Sequence, residues 1–419
     1  MKIAILTDTP PMLLGDQGEY CGRGWIDSFI CHLARIKGIQ IYVLYNSRTE
    51  KQVIQRNNVY YVPVRNSLTF SVKALNVIPR LLGFWERKND IQKYIDIIEA
   101  ISPDVIHIFG TEWIGIRLLQ YPYRNILVHI QGFVSIWQSY QYVYSKGSRS
   151  ELIYKSLQTI KSSLFGMSLM HQYSAMKNAG IREVSCFKER AYFAGRTSFD
   201  RQIIQDANSD SHYFHIDELL RSAFYTADPW NSHINNDALD LVSTLSDRVY
   251  KGLDLIIEVC KILDKEITFK IVWYIAGISE QSDTWKLFRG NTRFKNIRLI
   301  AEGVVQEKSL ISLLQNCDAY VHPSRIENSP NSLCEAQILG VPVIARNTGG
   351  ISSLVANGET GVLFNNMFQL IEIIESLHMQ TQMFAQLGKQ GRECALIRHN
   401  ADKIISDTLK AYKYIIADL

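Results

Sequence analysis

Glu327 and Glu335 stand eight positions apart in the stretch SRIENSPNSLCEAQILG, residues 324 to 340, with Ser329 and Pro330 between them. Serine is a favoured helix N-cap, and proline suits the first helical position because its missing N–H is not needed there. A helix beginning at Pro330 leaves Glu327 in the loop outside its mouth. Glu335 then lies further inside, roughly 7.5 Å along the axis at about 1.5 Å per residue. Carboxylates so spaced do not easily share one proton or one metal ion. They suit the two ends of an elongated ligand whose middle rests on the helix start, where unpaired N–H groups and the helix dipole favour an anion.

Other candidates are weaker taken singly. STLSDRVYKGLD, residues 243 to 254, follows an apolar run and puts Arg248 and Lys251 at a strand's carboxyl edge, where a phosphate would sit. An isolated Lys-Gly reads more simply as surface charge. The loop DTPPMLLGDQGEYCGRGW spreads Gly15, Gly18, Gly22 and Gly24 over a length that the tight GxGxxG of a nicotinamide site does not have. Gly22 and Gly24 abut a helix start at Trp25, where backbone could approach a ligand; a flexible helix entry is the plainer reading. ARNTGGISSLVANGETGVLF, residues 345 to 364, reads as a β-α-β unit with tight glycine turns. His107, His129 and His322 sit in or just after apolar runs, as core histidines do. No His-x-x-His or carboxylate cluster argues for a metal.

The elements that must position these groups are short apolar runs: KIAILTD, IQIYVLY, NVYYVPV, VIHIFG and NILVHIQG, then LDLVSTL, FKIVWYIAG, IRLIAEG, AYVHPS, PVIARN and GVLF. Helical stretches such as 25 to 37, 253 to 265 and 308 to 316 lie between them. Nearly all-apolar strands alternating with helices indicate parallel sheets covered on both faces. A chain of 419 residues exceeds the usual limit of one core. The expectation is an α/β protein of two Rossmann-like, doubly wound domains facing across a cleft. Residues 1–212 form the first domain, 213–236 the connection, 237–395 the second, and 396–419 a C-terminal helix that packs back on the first. That helix carries Ile404, Ile405, Leu409, Tyr412 and Ile415 on one face. Ligands of such folds bind between the carboxyl ends of the strands.

Seven single cysteines, at 21, 31, 186, 260, 317, 334 and 394, suggest neither a zinc site nor a disulfide framework, and a reducing cytosol suits them. The start MKIAILTD reads as a first strand rather than a signal peptide, and no apolar run has the length of a membrane span. The formal charge of +4 says less than its distribution: residues 124 to 201 hold eleven Lys/Arg against four acids, interleaved with aromatics. A solvated basic face is one reading; a surface meeting anionic lipid or a polyanionic acceptor is the other. Without dense Arg clusters, nucleic acid is not expected as a partner.

Taken together, YKGLDLIIEV and the run from EGVVQEKSLISLLQNCDAYVHPS through SRIENSPNSLCEAQILGVPVIARNTGG to GVLF resemble the second half of a family 4 retaining glycosyltransferase of GT-B fold, of the kind that assembles bacterial polysaccharides. CGRGW, VIHIFGTEW, HIQGFVS and GRTSFDR fit the amino-terminal half more loosely. The resemblance implies that Glu335 binds the ribose of a nucleotide-sugar and that Glu327 faces the donor sugar. The diphosphate lies over the helix start and the backbone of Asn328, Ser329, Pro330, Asn331, Ser332 and Leu333. Lys251 matches the family's phosphate-binding lysine. The arginine usual five residues earlier is Ser246 here, with Arg248 as substitute. The histidine usual before the loop glycine is Gln131, which hydrogen-bonds a sugar hydroxyl but exchanges no proton at neutral pH.

The resulting expectation is a metal-independent hexosyltransferase that moves a sugar from a nucleoside diphosphate, UDP ahead of GDP, to a glycan or lipid-linked glycan hydroxyl. The nucleotide-sugar is a co-substrate, and no separate cofactor is expected. Glu327, Lys251 and Arg248 are the catalytic candidates, and the backbone of Gly22 and Gly24 helps to hold the diphosphate. The expected location is the cytoplasm, peripheral to the inner membrane face. A silent sugar-nucleotide-binding protein and a GT-B epimerase of sugar nucleotides remain as alternatives.

Overall fold

In a computed structural model, the alternating runs form two sheets. The structure describes residues 1–8, 10–11, 24–47, 52–65, 90–140, 169–231, 238–290 and 292–419. The first sheet holds β1 (Lys2–Thr7), β2 (Gln40–Ser47), β3 (Ile54–Arg56), β4 (Val59–Arg65), β5 (Val105–Phe109), β6 (Ile126–His129), β7 (Tyr192–Gly195) and β8 (His212–His215). Their order is β3-β4-β2-β1-β5-β6-β7-β8, parallel except for β3 against β4. The second holds β9 (Ala238–Thr244), β10 (Lys270–Ala276), β11 (Ile297–Gly303), β12 (Ala319–His322), β13 (Val343–Arg346) and β14 (Val362–Phe364). All its pairings are parallel, in the order β11-β10-β9-β12-β13-β14.

In each sheet the strand order reverses beside the first strand, between β1 and β5 and between β9 and β12. Loops leaving adjacent strands in opposite directions there open a crevice at the strands' carboxyl ends. Burial on both faces explains the unbroken apolar runs. Along β1, Ile3 and Ile5 enter one core while Ala4 and Leu6 enter the other.

β8 runs past the expected boundary at 212, and residues 216–224 after it are positioned by burial. Ile216 and Leu219 join the first domain's core, whereas Leu220 and Phe224 join the second's. Arg221 therefore sits where the chain passes between domains. The C-terminal helix Ala401–Ala417, capped by Asn400 on the Lys403 N–H at 2.9 Å, returns to the first domain. Ile404, Ile405, Tyr412 and Ile415 are buried there, and the Tyr412 hydroxyl meets His107 Nδ1 at 2.7 Å. At roughly 1.5–3 kcal/mol for each large apolar side chain, this anchor is substantial. No helix among the described residues is long and apolar enough to cross a membrane.

Candidate functional site

The two groups expected to do chemistry leave the strands that flank the second sheet's reversal: Lys251 follows β9 and Glu327 follows β12. Lys251 ends a short 3₁₀ turn, Val249–Lys251, closed by Gly252 at φ 84°. A Cβ on Gly252 would lie 2.4 Å from the Pro323 carbonyl oxygen, so glycine lets the turn press against the loop after β12. Arg325 fastens the same contact. Its N–H donates to the Tyr250 carbonyl at 2.8 Å and its guanidinium holds Asp254 at 2.7 Å. The result brings Lys251 Nζ onto the Glu327 carboxylate, with His322 Nε2 3.7 Å from the same oxygen.

Burial would push the Glu327 carboxyl up, but Lys251 and His322 outweigh it and bring it down to about 2. Burial likewise opposes the Lys251 ammonium, and Glu327 reverses that and raises it. His322, with burial dominant, is lowered. At neutral pH the cluster is therefore an ion pair beside a neutral imidazole. With its side chain only 19% exposed, Lys251 is no solvated surface charge. Arg248 lies half-buried at the start of the same turn.

The paired glycines have a specific task. The Gly350 N–H donates to the Glu327 carbonyl at 3.0 Å, and Thr348 Oγ1 donates to the Arg325 carbonyl at 2.7 Å. A Cβ on Gly349, itself at φ 54°, would fall 1.9 Å from the Glu327 oxygen; one on Gly350 would fall 2.2 Å from that of Asn328. The glycine loop thus moulds the backbone that carries Glu327.

The central helix spans Asn331–Leu339, with Pro330 rather than Ser329 at its cap, so it begins one residue later than expected. The cause is on the other domain. Arg196 Nη1 donates to the Ser329 carbonyl at 3.4 Å, Thr197 Oγ1 donates to Asn328 Oδ1 at 2.7 Å, and Asn328 Nδ2 donates to Asp200 at 3.0 Å. These bonds tie Asn328 and Ser329 to the first domain. The N–H groups of Leu333 and Cys334 donate to the Pro330 carbonyl, and those of Asn331 and Ser332 have no intrahelical partner at the mouth. Ser332 Oγ accepts from the Tyr320 hydroxyl at 2.8 Å, while the Leu333 side chain is buried in the core.

Glu335 belongs to a second charge cluster. Arg221 grips it in a bidentate fork, Nε to Oε1 and Nη2 to Oε2, both 2.6 Å. Glu307 lies 3.7 Å from the same guanidinium. Burial raises the Glu335 carboxyl, partly offset by Arg221. Beside it, Glu218 pairs with Arg196 and faces the Asn331 amide at 3.1 Å. Burial pushes Glu218 up to about 7, with Arg196 opposing and Glu335 adding to the rise.

Across the cleft, Gln131 is half-buried on the loop after β6. The buried Glu183 shapes that loop by accepting from the N–H groups of Val134 and Ser135 at 3.2 and 2.9 Å, capping the helix Val134–Tyr140. His129 is buried beneath Trp25 and Phe109, and burial takes it well below the usual imidazole range. Gly24 opens the helix Gly24–Leu33, and the space beside it holds the Arg221 stem, since a Cβ would sit 2.5 Å from Arg221 Cγ. Gly22 lies outside the described residues, as do Lys146, Arg149, Lys155 and Lys161 of the basic stretch.

Four participants escape a sequence reading. His322 looks like any core histidine, and Arg196, Glu218 and Arg221 lie in or near a connection that appears irregular. The one available signal is the packing of Asp217, Glu218 and Arg221 into an otherwise apolar DELLR run. Among the described residues no group of three or more His, Cys, Asp or Glu is placed to hold a metal ion. The arrangement offers the Lys251–Glu327 pair on one side, the Arg221–Glu335 and Arg196–Glu218 pairs on the other, and an open helix start between domains, suited to an elongated anion.

Residues 226–394 match the family model described as glycosyl transferases group 1. The Staphylococcus aureus capsular polysaccharide biosynthesis glycosyltransferase CapM is 35% identical over 85 residues, 20% of this chain and 22% of that one. The aligned parts span less than half the length of the curated relatives matched. Among solved structures, sucrose-phosphate synthase from Thermosynechococcus elongatus overlays with TM-score 0.67 at 14% identity, covering 100% of both chains. Anabaena HepE in complex with UDP-glucose overlays with TM-score 0.60 at 16% identity, covering 98% of this chain and 100% of that one. Residues 226–394 are thus a domain of the glycosyl transferases group 1 family, carried in a chain of GT-B fold.

Proposed function

We propose that this protein is a retaining glycosyltransferase that moves a hexosyl group from a nucleoside diphosphate, UDP before GDP, to a hydroxyl of a glycan or lipid-linked glycan. The observation that carries the reading is the buried Lys251–Glu327 pair with His322, held beside the open start of helix Asn331–Leu339. The chemical problem is the charge that gathers on the diphosphate as the anomeric carbon–oxygen bond breaks. Lys251 and the helix-start N–H groups are preorganised donors for that charge. In a front-face reaction the acceptor oxygen bonds the anomeric carbon on the side the diphosphate leaves, and the acceptor proton passes to a diphosphate oxygen. Glu327 as a covalent nucleophile is disfavoured, because Lys251 holds its charge and makes it a weak base.

Glu335 reads the ribose, and Glu327 faces the sugar. UDP is supported by the HepE complex, and a polysaccharide or lipid-linked acceptor by CapM and by the basic, aromatic stretch of the first domain. Purified protein with UDP-glucose, UDP-N-acetylglucosamine and GDP-mannose, with and without simple glycan acceptors, tests the proposal by proton NMR of the product. An α-linked product or free α-sugar from an α-donor is expected. A β-product would overturn retention. An altered sugar still on its nucleotide would favour the epimerase, and binding without turnover of any donor the silent protein.

A further inference from the structure

We propose that Arg221 is the positioning residue that makes Glu335 a reader of the ribose hydroxyls, an inference that rests on the ribose role of Glu335 given above. Arg221 is buried, and its side chain is held from three sides. The Phe224 ring lies 4.5 Å from its guanidinium, the start of helix Gly24–Leu33 packs on its stem, and Glu335 takes both prongs of its fork at 2.6 Å. A carboxylate has about four lone-pair sites. A guanidinium fork fills one on each oxygen and fixes the carboxylate plane, leaving the other pair pointing away from the arginine. The free lone pair on each oxygen points outward to its own side of the carboxylate, so a ribose hydroxyl meets an acceptor of fixed direction. Lysine, a point charge, would fix neither plane nor spacing.

The fork also keeps the carboxylate an acceptor. Glu335 faces Arg221 and Glu218 from the connection and Glu307 from the helix Glu307–Gln315; Arg196 lies behind Glu218. Arg398, on the helix Thr381–Arg398, is engaged instead with Gln337, 3.1 Å away. Burial and Glu307 therefore oppose ionisation of Glu335, and Arg221 is the cation in direct contact. Without it, burial and Glu307 favour the protonated carboxyl, which has lost part of its accepting capacity. The Arg221 stem also packs against the start of the first domain's helix Gly24–Leu33.

Donor KM and kcat of wild type, Arg221→Gln, Arg221→Lys and Glu335→Gln, with UDP-sugar and its 2'-deoxyribose analogue, form the test. Wild type should prefer the ribose donor by about ten- to a hundredfold in KM, the scale of one charge-assisted hydrogen bond. Arg221→Gln should lose most of that preference while kcat at saturating donor changes little. Its remaining preference should grow from mildly acidic to mildly alkaline buffer, where wild type stays flat. Arg221→Lys, which keeps a cation against Glu335, should fold normally and stay flat with pH, yet recover only part of the preference. Full preference in folded Arg221→Gln or Arg221→Lys, alongside its loss in Glu335→Gln, would overturn the positioning role. Full preference in Glu335→Gln would instead overturn the ribose role itself.

Discussion

The indole of Trp137 lies flat against the phenol ring of Tyr250, with centroids 5.7 Å apart and planes 11° from parallel, one ring contributed by each domain. Tyr250 precedes Lys251, whose Nζ stands 5.2 Å from the same phenol ring. Trp137 rides on the helix that Glu183 caps. The first domain thus touches the second at the turn that holds Lys251.

That contact predicts the behaviour of Trp137→Ala. Losing a stacked aromatic pair costs about 0.5–1.5 kcal/mol beyond the lost area, so the protein should stay folded. Amide exchange over residues 246 to 252 should quicken, and kcat/KM should fall by about tenfold, because small misplacements of reacting groups are costly. Unchanged exchange there would separate the stack from the lysine turn.

Lys251 carries two effects that can be separated. Lys251→Met should lower turnover by roughly a hundredfold or more, the scale of one lost transition-state donor. It also strands Glu327, and breaking a buried pair costs about 3–5 kcal/mol, less here because the lysine is partly exposed. The double variant Lys251→Met/Glu327→Leu should regain stability in urea unfolding without regaining turnover. Recovery of both would return the pair to a structural role.

How much of this was legible in the sequence follows from the physics of each signal. Eleven apolar runs read as strands are strands, because sheets buried on both faces leave no polar alternation to obscure them. β3, β7 and β8 escaped because they are short or carry polar residues: Ile54–Arg56 is exposed throughout and His212–His215 is half-exposed. The glutamates were legible because spacing along one loop and helix is local. Lys251 was legible too, at a strand's carboxyl edge, but the arginines that reach in from the connection and the first domain were not. Arg221 reaches Glu335 across 114 positions and Arg196 reaches Ser329 across 133, and no local pattern encodes such pairings. The helix start shifted by one residue for the same reason: Thr197 and Asp200 of the other domain hold the loop that would have supplied the cap.

Gly349 offers a test of the moulded loop. Its φ of 54° and the 1.9 Å approach of a would-be Cβ to the Glu327 carbonyl leave no room for alanine. Gly349→Ala should displace Glu327 and break the 3.0 Å bond from Gly350. A stability loss of about 1–3 kcal/mol, as for a strained backbone position, is expected together with a larger fall in turnover than in donor binding. Calorimetry and donor titration separate the two. Loss of donor binding with turnover per bound donor intact would place the loop's role in the nucleotide site instead.

Glu218 gives the pH prediction. Burial, with Glu335 nearby, lifts its carboxyl from an ordinary 4.5 to about 7 even though Arg196 pairs with it. A raised acid holds its proton in the folded chain after the unfolded chain has released it. Between about pH 4.5 and about 7 the folded state therefore binds more protons, and stability falls as pH rises, levelling off above 7. Glutamine at this position cannot titrate, so the difference in unfolding free energy between wild type and Glu218→Gln isolates the effect from every other ionisable group. That difference should shift against wild type across the window and be flat above it. Urea unfolding at several pH values measures it directly. A flat difference throughout would mean that Arg196 holds Glu218 ionised even at mildly acidic pH. The guanidinium that reaches across to the Ser329 carbonyl would then belong to a permanent charge pair within the first domain.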